Sequence, residues 1–184
     1  MNDESQLIED ALQGNSASFG QLVKIHQNRL YNAIAHFVGD RVDAEDIVQE
    51  AFVQAYLKLS TFQGNSAFYT WLYRIAFNTA VSRRRRKRVE TSVELTREMT
   101  GGEPEDGGEA PDDRLIRDEQ VHQLRAALER LSEEHRSVLV LRELEGFDYE
   151  AIAEVLHINI GTVRSRLHRA RRQLREKLEQ MQVE

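Results

Sequence analysis

Residues 148–173 read DYEAIAEVLHINIGTVRSRLHRARRQ, two helical patterns around a break at His157 to Asn159. The first opens on Asp148, whose carboxylate can accept from the free amides of a helix start, and runs through Ile152, Ala153, Val155 and Leu156. The second opens on Asn159, another capping side chain, and repeats apolar residues at Val163, Leu167, Ala170 and Leu174. That three- and four-residue spacing gathers them into one buried stripe. Ser165, His168 and Arg172 then lie roughly opposite, with Arg164 and Arg169 on the flanks. From Arg164 to Lys177 there are seven Arg or Lys and a single acid, Glu176, so pairing along the helix cannot neutralise this face. A solvated, salt-bridged surface helix is the ordinary reading of a charge run. So dense a row of donors instead suits phosphates and the guanine acceptors of a major groove, and the pattern predicts a helix-turn-helix that reads duplex DNA.

Upstream, Leu115, Ile116, Val121, Leu124, Leu128 and Leu131 space as a helix. Ser132 can cap the next, with Glu133 and Glu134 in its first turn, Val138, Leu139, Leu141 and Leu144 inward, and Gly146 at its end. Residues 114–184 are thus expected to form a four-helix unit. Residues 89–113 differ in kind. They hold both prolines, four of the ten glycines, and nine acids against one base, Arg97. Few apolar residues remain to offset the entropy of ordering, so a flexible acidic linker is expected. The chain carries a net charge of -6; this segment contributes -8, leaving +2 for everything else. The acidity belongs to the linker, and the basic runs at Arg83 to Arg88 and Arg164 to Lys177 stand clear of it.

Residues 1–88 read as a second helical unit. A short helix carries Leu7, Ile8 and Leu12, and a longer one entered at Ser16 carries Phe19, Leu22, Val23, His26, Leu30, Ile34 and Val38, ending at Gly39 and Asp40. His26 and His36 are expected at the surface or its boundary. Asp43 can cap a third helix that buries Ile47, Val48, Ala51, Phe52, Ala55 and Leu59 and turns Glu45, Asp46, Gln49 and Glu50 outward. That acidic face is either a solvated surface or a dock for a basic partner. After the turn signal at Gly64-Asn65, a helix from about Ser66 places Phe68, Trp71, Leu72, Ile75, Ala76 and Thr79 in a core stripe. Tyr69, Tyr73, Arg74 and Asn78 fall elsewhere around it. Aromatic faces, an amide and cations together suit an unpaired nucleic-acid strand, with an aromatic-rich core as the alternative. No stretch carries a strand pattern, so the fold class is all-α: two small helical domains joined by a flexible acidic linker.

Composition excludes several functions. With no cysteine there are no disulfides or thiolate metal sites, and a reducing compartment is the natural one. No apolar run approaches the ~18 residues needed to span a bilayer, so the chain is expected to be cytoplasmic, without membrane insertion. His26, His36, His122, His135, His157 and His168 show no metal-ligand spacing, and no phosphate-binding glycine loop or nucleophile motif is present. No catalytic residue, metal or cofactor is expected.

DAEDIVQEAF (43–52), FQGNSAFYTWLYRIAFNTA (62–80) and LSEEHRSVLVLRELEGFDYEAIAEVLHINIGTVRSRLHRARRQL (131–174) together resemble an extracytoplasmic-function (group IV) sigma factor of bacterial RNA polymerase, of the sigma-70 family. The resemblance implies that residues 1–88 form region 2 and residues 114–184 region 4. It implies an alternative sigma factor that binds core RNA polymerase and directs promoter-specific initiation, restrained by an anti-sigma factor. Region 2 would bind the β′ clamp helices through Asp46, Gln49 and Glu50, and region 4 the β flap. Region 2 would also melt the minus-ten element and hold a flipped base through Lys58, Phe62, Asn65, Ile75 and Asn78, while Trp71 stays in the core. For the minus-thirty-five element it implies base or near-base contacts by Arg164, Ser165, His168 and Arg169, and phosphate contacts by Thr162, Arg166 and Arg172. Two departures stand out: His157 occupies a turn position where the family often has glycine, and His168 stands where other members present different side chains. A free-standing helix-turn-helix regulator would account for residues 148–173 but not for DAEDIVQEAF or the aromatic helix.

Overall fold

The computed structural model describes residues 4–94 and 123–181, with side chains over 4–86 and 123–181. Among the described residues all regular structure is helical. The N-terminal bundle comprises α1 (Glu4–Leu12), α2 (Ser16–Val38), α3 (Arg41–Leu57), a 3-10 turn (Leu59–Thr61) and α4 (Phe68–Glu94). Leu22, Leu30, Ile34 and Phe37 of α2 meet Ile47, Ala51 and Ala55 of α3 and Leu72, Ala76 and Ala80 of α4 in a fully buried core. The small residues on α3 and α4 let those helices approach closely, and the predicted stripes supply most of the contact.

α2 is entered at Ser16, as expected, and Asn15 caps it, its side chain accepting from the amides of Ala17 and Ser18. Other boundaries differ from the sequence expectation. Gly39 closes α2 alone, in a left-handed conformation at φ 83° with its amide donating to Ala35. The chain can then re-enter a helix at once, so Asp40 caps α3, accepting from the Asp43 amide at 3.0 Å, and Asp43 sits in the first turn. α4 begins at Phe68, where the Trp71 amide reaches back to the Ala67 carbonyl. It continues through Glu94, six residues into the stretch expected as linker. Val89 to Glu94 contain no proline or glycine to stop it. The remaining linker, 95–113, and the apolar residues Leu115, Ile116 and Val121 lie outside the described residues. Leu12 and Leu144, expected inside, are exposed at 45% each. His26, expected at the surface or its boundary, is buried: its Nε2 lies 3.2 Å from Glu4 and its ring packs on Phe68 and Tyr69. Burial lowers its pKa, against the opposing pull of Glu4.

The C-terminal bundle comprises α5, described over residues 123–129, α6 (Glu133–Leu139), a π-helical turn (Val140–Leu144), α7 (Tyr149–Leu156) and α8 (Ile160–Met181). Ser132 caps α6, as expected. In the π turn the Glu145 amide donates to Val140 at 3.0 Å, and Gly146 at φ 72° then reverses the chain. Asp148 caps α7 through the Ala151 amide at 2.7 Å, and Asn159 caps α8 through the Thr162 amide at 2.8 Å. Between them His157 takes the left-handed conformation at φ 53° and ψ 44°, where the residue lacks glycine's freedom.

The two bundles pack face to face. Glu145, buried in the C-terminal bundle, accepts from Arg29 Nε at 2.9 Å and from the Tyr69 hydroxyl at 2.8 Å, and its own carbonyl accepts from Arg29 at 2.8 Å. The Arg29 guanidinium lies 4.0 Å above the Tyr69 ring. Phe147 fits edge-on against Tyr69 and Tyr73, with centroids 6.0 and 5.6 Å away. Arg74 pairs with Glu154 at 2.5 Å, and buried Arg136 places its guanidinium 5.8 Å from the Phe37 ring centre. Burial, and then the nearby Arg84, lower the Arg136 pKa. Tyr69 and Tyr73, whose sequence pattern left them free to stack on nucleic acid, are therefore occupied by the other bundle. Burial raises the pKa of both hydroxyls, and the Glu145 charge adds to it.

Candidate nucleic-acid interface

Two surfaces have the chemistry of nucleic-acid binding, one on each bundle. The first is a groove of about 500 Å³ between α3 and α4. Glu50, Gln54 and Lys58 form its α3 wall, and Ile75, Asn78, Thr79, Ser82, Arg83 and Arg86 its α4 wall. Lys58 and Asn78 are exposed and Ile75 is half-buried, so the groove offers an apolar patch, an amide and cations side by side. It thus unites three of the five residues expected at the minus-ten element.

Phe62 and Asn65 stand apart, on the loop from the 3-10 turn to α4. Phe62 is half-buried and packs edge-on to Phe68 at 5.5 Å and against Trp71 at 5.4 Å. Trp71 is itself buried, as expected. Asn65 is exposed and donates to Gln63 at 3.2 Å, beside Gly64 at φ 71°. The loop therefore carries the exposed amides of Gln63 and Asn65 next in sequence to a Phe62 ring packed on Phe68 and Trp71.

Sequence reasoning placed Thr79 in the core and treated Arg83 and Arg86 only as members of a basic run. Ile75, Asn78, Thr79, Ser82, Arg83 and Arg86 recur at three- and four-residue spacing, which is one helix face. That signal was available. On the neighbouring face of α3, Asp46 and Gln49 point outward and are exposed, while Glu50 turns into the groove. Arg83 binds Asp46 at 2.5 Å and lies 3.6 Å from Asp43.

The second surface is α8. Val163, Leu167 and Ala170 are buried, while Arg164, Ser165, His168, Arg169 and Arg172 are exposed. The expected face is thus presented along one helix. Arg164 and Arg169 have no ion-pair partner among the described residues. Arg166 is half-buried and pairs with Glu134 of α6 at 2.9 Å, and Arg172 faces Glu176 at 3.6 Å. The Thr162 hydroxyl donates to the capping Asn159 at 3.0 Å, and Ser165 donates to the Thr162 carbonyl at 3.0 Å. Both hydroxyls therefore begin with an internal bond that a contact to DNA would replace. Among the described residues no cluster of His, Cys, Asp or Glu could hold a metal, and no helix is long and apolar enough to cross a membrane.

Comparison with known proteins matches both bundles. Residues 22–90 match the family model "Sigma-70 region 2", and residues 122–174 match "Sigma-70, region 4". The chain is 41% identical over 173 residues to the RNA polymerase sigma-H factor of Pseudomonas aeruginosa, covering 91% of this chain and 90% of that one. It is 35% identical over 181 residues to the ECF RNA polymerase sigma-E factor of Haemophilus influenzae, covering 96% and 95%. Among solved structures, the sigma factor RpoE of Bartonella quintana, in complex with the anti-sigma factor NepR, superposes with a TM-score of 0.73 at 26% identity, over 88% of this chain and 96% of that one. CnrH in complex with the cytosolic domain of CnrY gives 0.67 at 26% identity, over 94% and 95%. With two sigma-type bundles in sequence order, and relatives of this identity matched over nearly their whole length, the chain belongs to the extracytoplasmic-function sigma factors of the sigma-70 family.

Proposed function

We infer that this chain confers promoter specificity on core RNA polymerase in the cytoplasm. It acts by binding and catalyses nothing itself. The observation that carries this reading is the pairing of two chemically different surfaces suited to DNA, a groove with an amide and cations on one bundle and an arginine-lined helix on the other. Neither alone would define a promoter, whereas two readers on one chain can require two elements in fixed order.

In this reading residues 1–88 act as region 2 and residues 114–184 as region 4. Asp46 and Gln49 meet the β′ clamp helices from the exposed face of α3, with Glu50 at the edge of the groove, and region 4 meets the β flap. Lys58, Ile75 and Asn78 receive the minus-ten strand, and Phe62 and Asn65 hold a base extruded onto their loop. Unstacking a base costs a few kcal/mol, which stacking and amide bonds can offset while discriminating among bases. Arg164, Ser165, His168 and Arg169 read minus-thirty-five base edges, and Thr162, Arg166 and Arg172 hold phosphates. An anti-sigma factor restrains the chain with the bundles in their face-to-face arrangement. The matched sigma factor RpoE is held by the anti-sigma factor NepR, which supports this step.

The test is reconstitution with core bacterial RNA polymerase on a promoter from the chain's own genome. Initiation should require the chain and weaken with Asp46→Ala/Gln49→Ala. Tight duplex binding without association with core polymerase would instead favour a free-standing regulator.

A further inference from the structure

Arg83 belongs to two surfaces at once. Its guanidinium holds Asp46 at 2.5 Å, on the exposed face of α3, and its side chain also lines the α3–α4 groove beside Lys58 and Asn78. We propose that the Asp46–Arg83 ion pair couples the two surfaces, so that a protein partner claiming the Asp46 carboxylate releases Arg83 to bind a DNA phosphate in the groove. The proposal rests on the function inferred above. It adds the residue that carries the coupling and the direction in which it acts.

The pair is suited to exchange. Asp46 is 50% exposed and Arg83 33%, so their attraction is screened by water and a better-placed cation on a partner can displace it. Arg83 cannot lose its charge when Asp46 is taken. A phosphate lying in the groove, where Lys58 and Arg86 already stand, offers its guanidinium a two-pronged acceptor in place of the lost carboxylate. Asp43, 3.6 Å from the same nitrogen and mostly buried, keeps a weaker hold and limits the gain. Because the coupling is a difference in binding free energy, it runs both ways: DNA in the groove must strengthen polymerase binding by the same factor.

A purely structural clip between α3 and α4 would be blind to whether polymerase is bound, and the experiment uses that. The full chain is titrated with a labelled single-stranded oligonucleotide carrying the non-template minus-ten sequence, alone and with saturating core polymerase. In the free chain, Asp46→Asn should tighten binding by about two- to fivefold, the range expected for releasing an exposed ion pair. Glu45→Gln, which removes a neighbouring exposed acid that holds no arginine, should change it far less, and Asp46→Asn/Arg83→Gln should lose the gain. With polymerase bound, wild type and Asp46→Asn should bind the oligonucleotide alike, and Arg83→Gln more weakly than either. No gain in Asp46→Asn, or a gain that survives in the double variant, overturns the coupling while leaving the sigma reading intact. A wild-type chain that never associates with core polymerase overturns both.

Discussion

Tyr69 donates its hydroxyl to the Glu145 carboxylate at 2.8 Å, across the junction of the two bundles. Both groups are buried, so each depends on the other and on Arg29 for hydrogen bonding. Tyr69→Phe should leave the Glu145–Arg29 contact intact and cost about 1 kcal/mol, read as a lower denaturant midpoint. Glu145→Leu strands the tyrosine hydroxyl in a dry interface and should cost about 1 to 3 kcal/mol. Faster amide exchange in α7 and in the adjacent part of α4 would locate that loss at the junction; unchanged exchange in both helices would contradict it.

His26 gives the fold a pH dependence. Its folded pKa is lowered chiefly by burial, with the Arg29 charge adding and the Glu4 charge opposing. A depressed pKa means that the unfolded chain takes up the proton first. Stability is therefore full above about pH 6.5, falls as the pH drops from there through the folded pKa, and then levels. His26→Gln, which can still meet Glu4, should flatten that part of a stability-against-pH curve. A slope matching wild type would show that other groups carry the effect.

His157 holds a left-handed conformation without glycine's freedom. That geometry costs a side-chain-bearing residue about 1 to 2 kcal/mol, and glycine's larger unfolded entropy returns part of the difference. His157→Gly should therefore stabilise the chain by up to about 1 kcal/mol, seen as a higher Tm. His157→Val, β-branched at the same angles, should lower it.

On α8 the expected losses are of two kinds. Arg164→Ala or Arg169→Ala should reduce discrimination among minus-thirty-five sequences by about 1 to 3 kcal/mol. Arg172→Ala should weaken all duplexes alike and reduce the magnitude of the salt slope by about one. Competition binding at several salt concentrations separates the two, and an Arg172→Ala variant that changed sequence preference would reverse the assignment.

Local features were readable from the sequence because local physics fixes them. Asp148 and Asn159 cap the helices they were expected to cap, and Val163, Leu167 and Ala170 form the predicted stripe. Where two capping side chains stood close together, as with Asp40 and Asp43, spacing alone could not choose between them. The junction was illegible for a different reason. Glu145 meets Arg29 across 116 positions of sequence, and no periodicity reports a contact of that kind. Tyr69 and Tyr73 showed the same aromatic chemistry whether a base or another helix was to cover them. Arg83 was visible as a basic residue, yet its hold on Asp46 depends on how α3 and α4 pack.

The π-helical turn at Val140–Leu144 acts as a register mark. It accommodates one residue more than an α-helical turn would, and each helical residue advances the chain by about 100°. Removing a single residue there would let the turn relax into ordinary helix while swinging Glu145 away from Arg29 and Tyr69. Length, as much as composition, therefore specifies this junction: a one-residue deletion at the turn should separate the bundles even with every side chain of the contact retained.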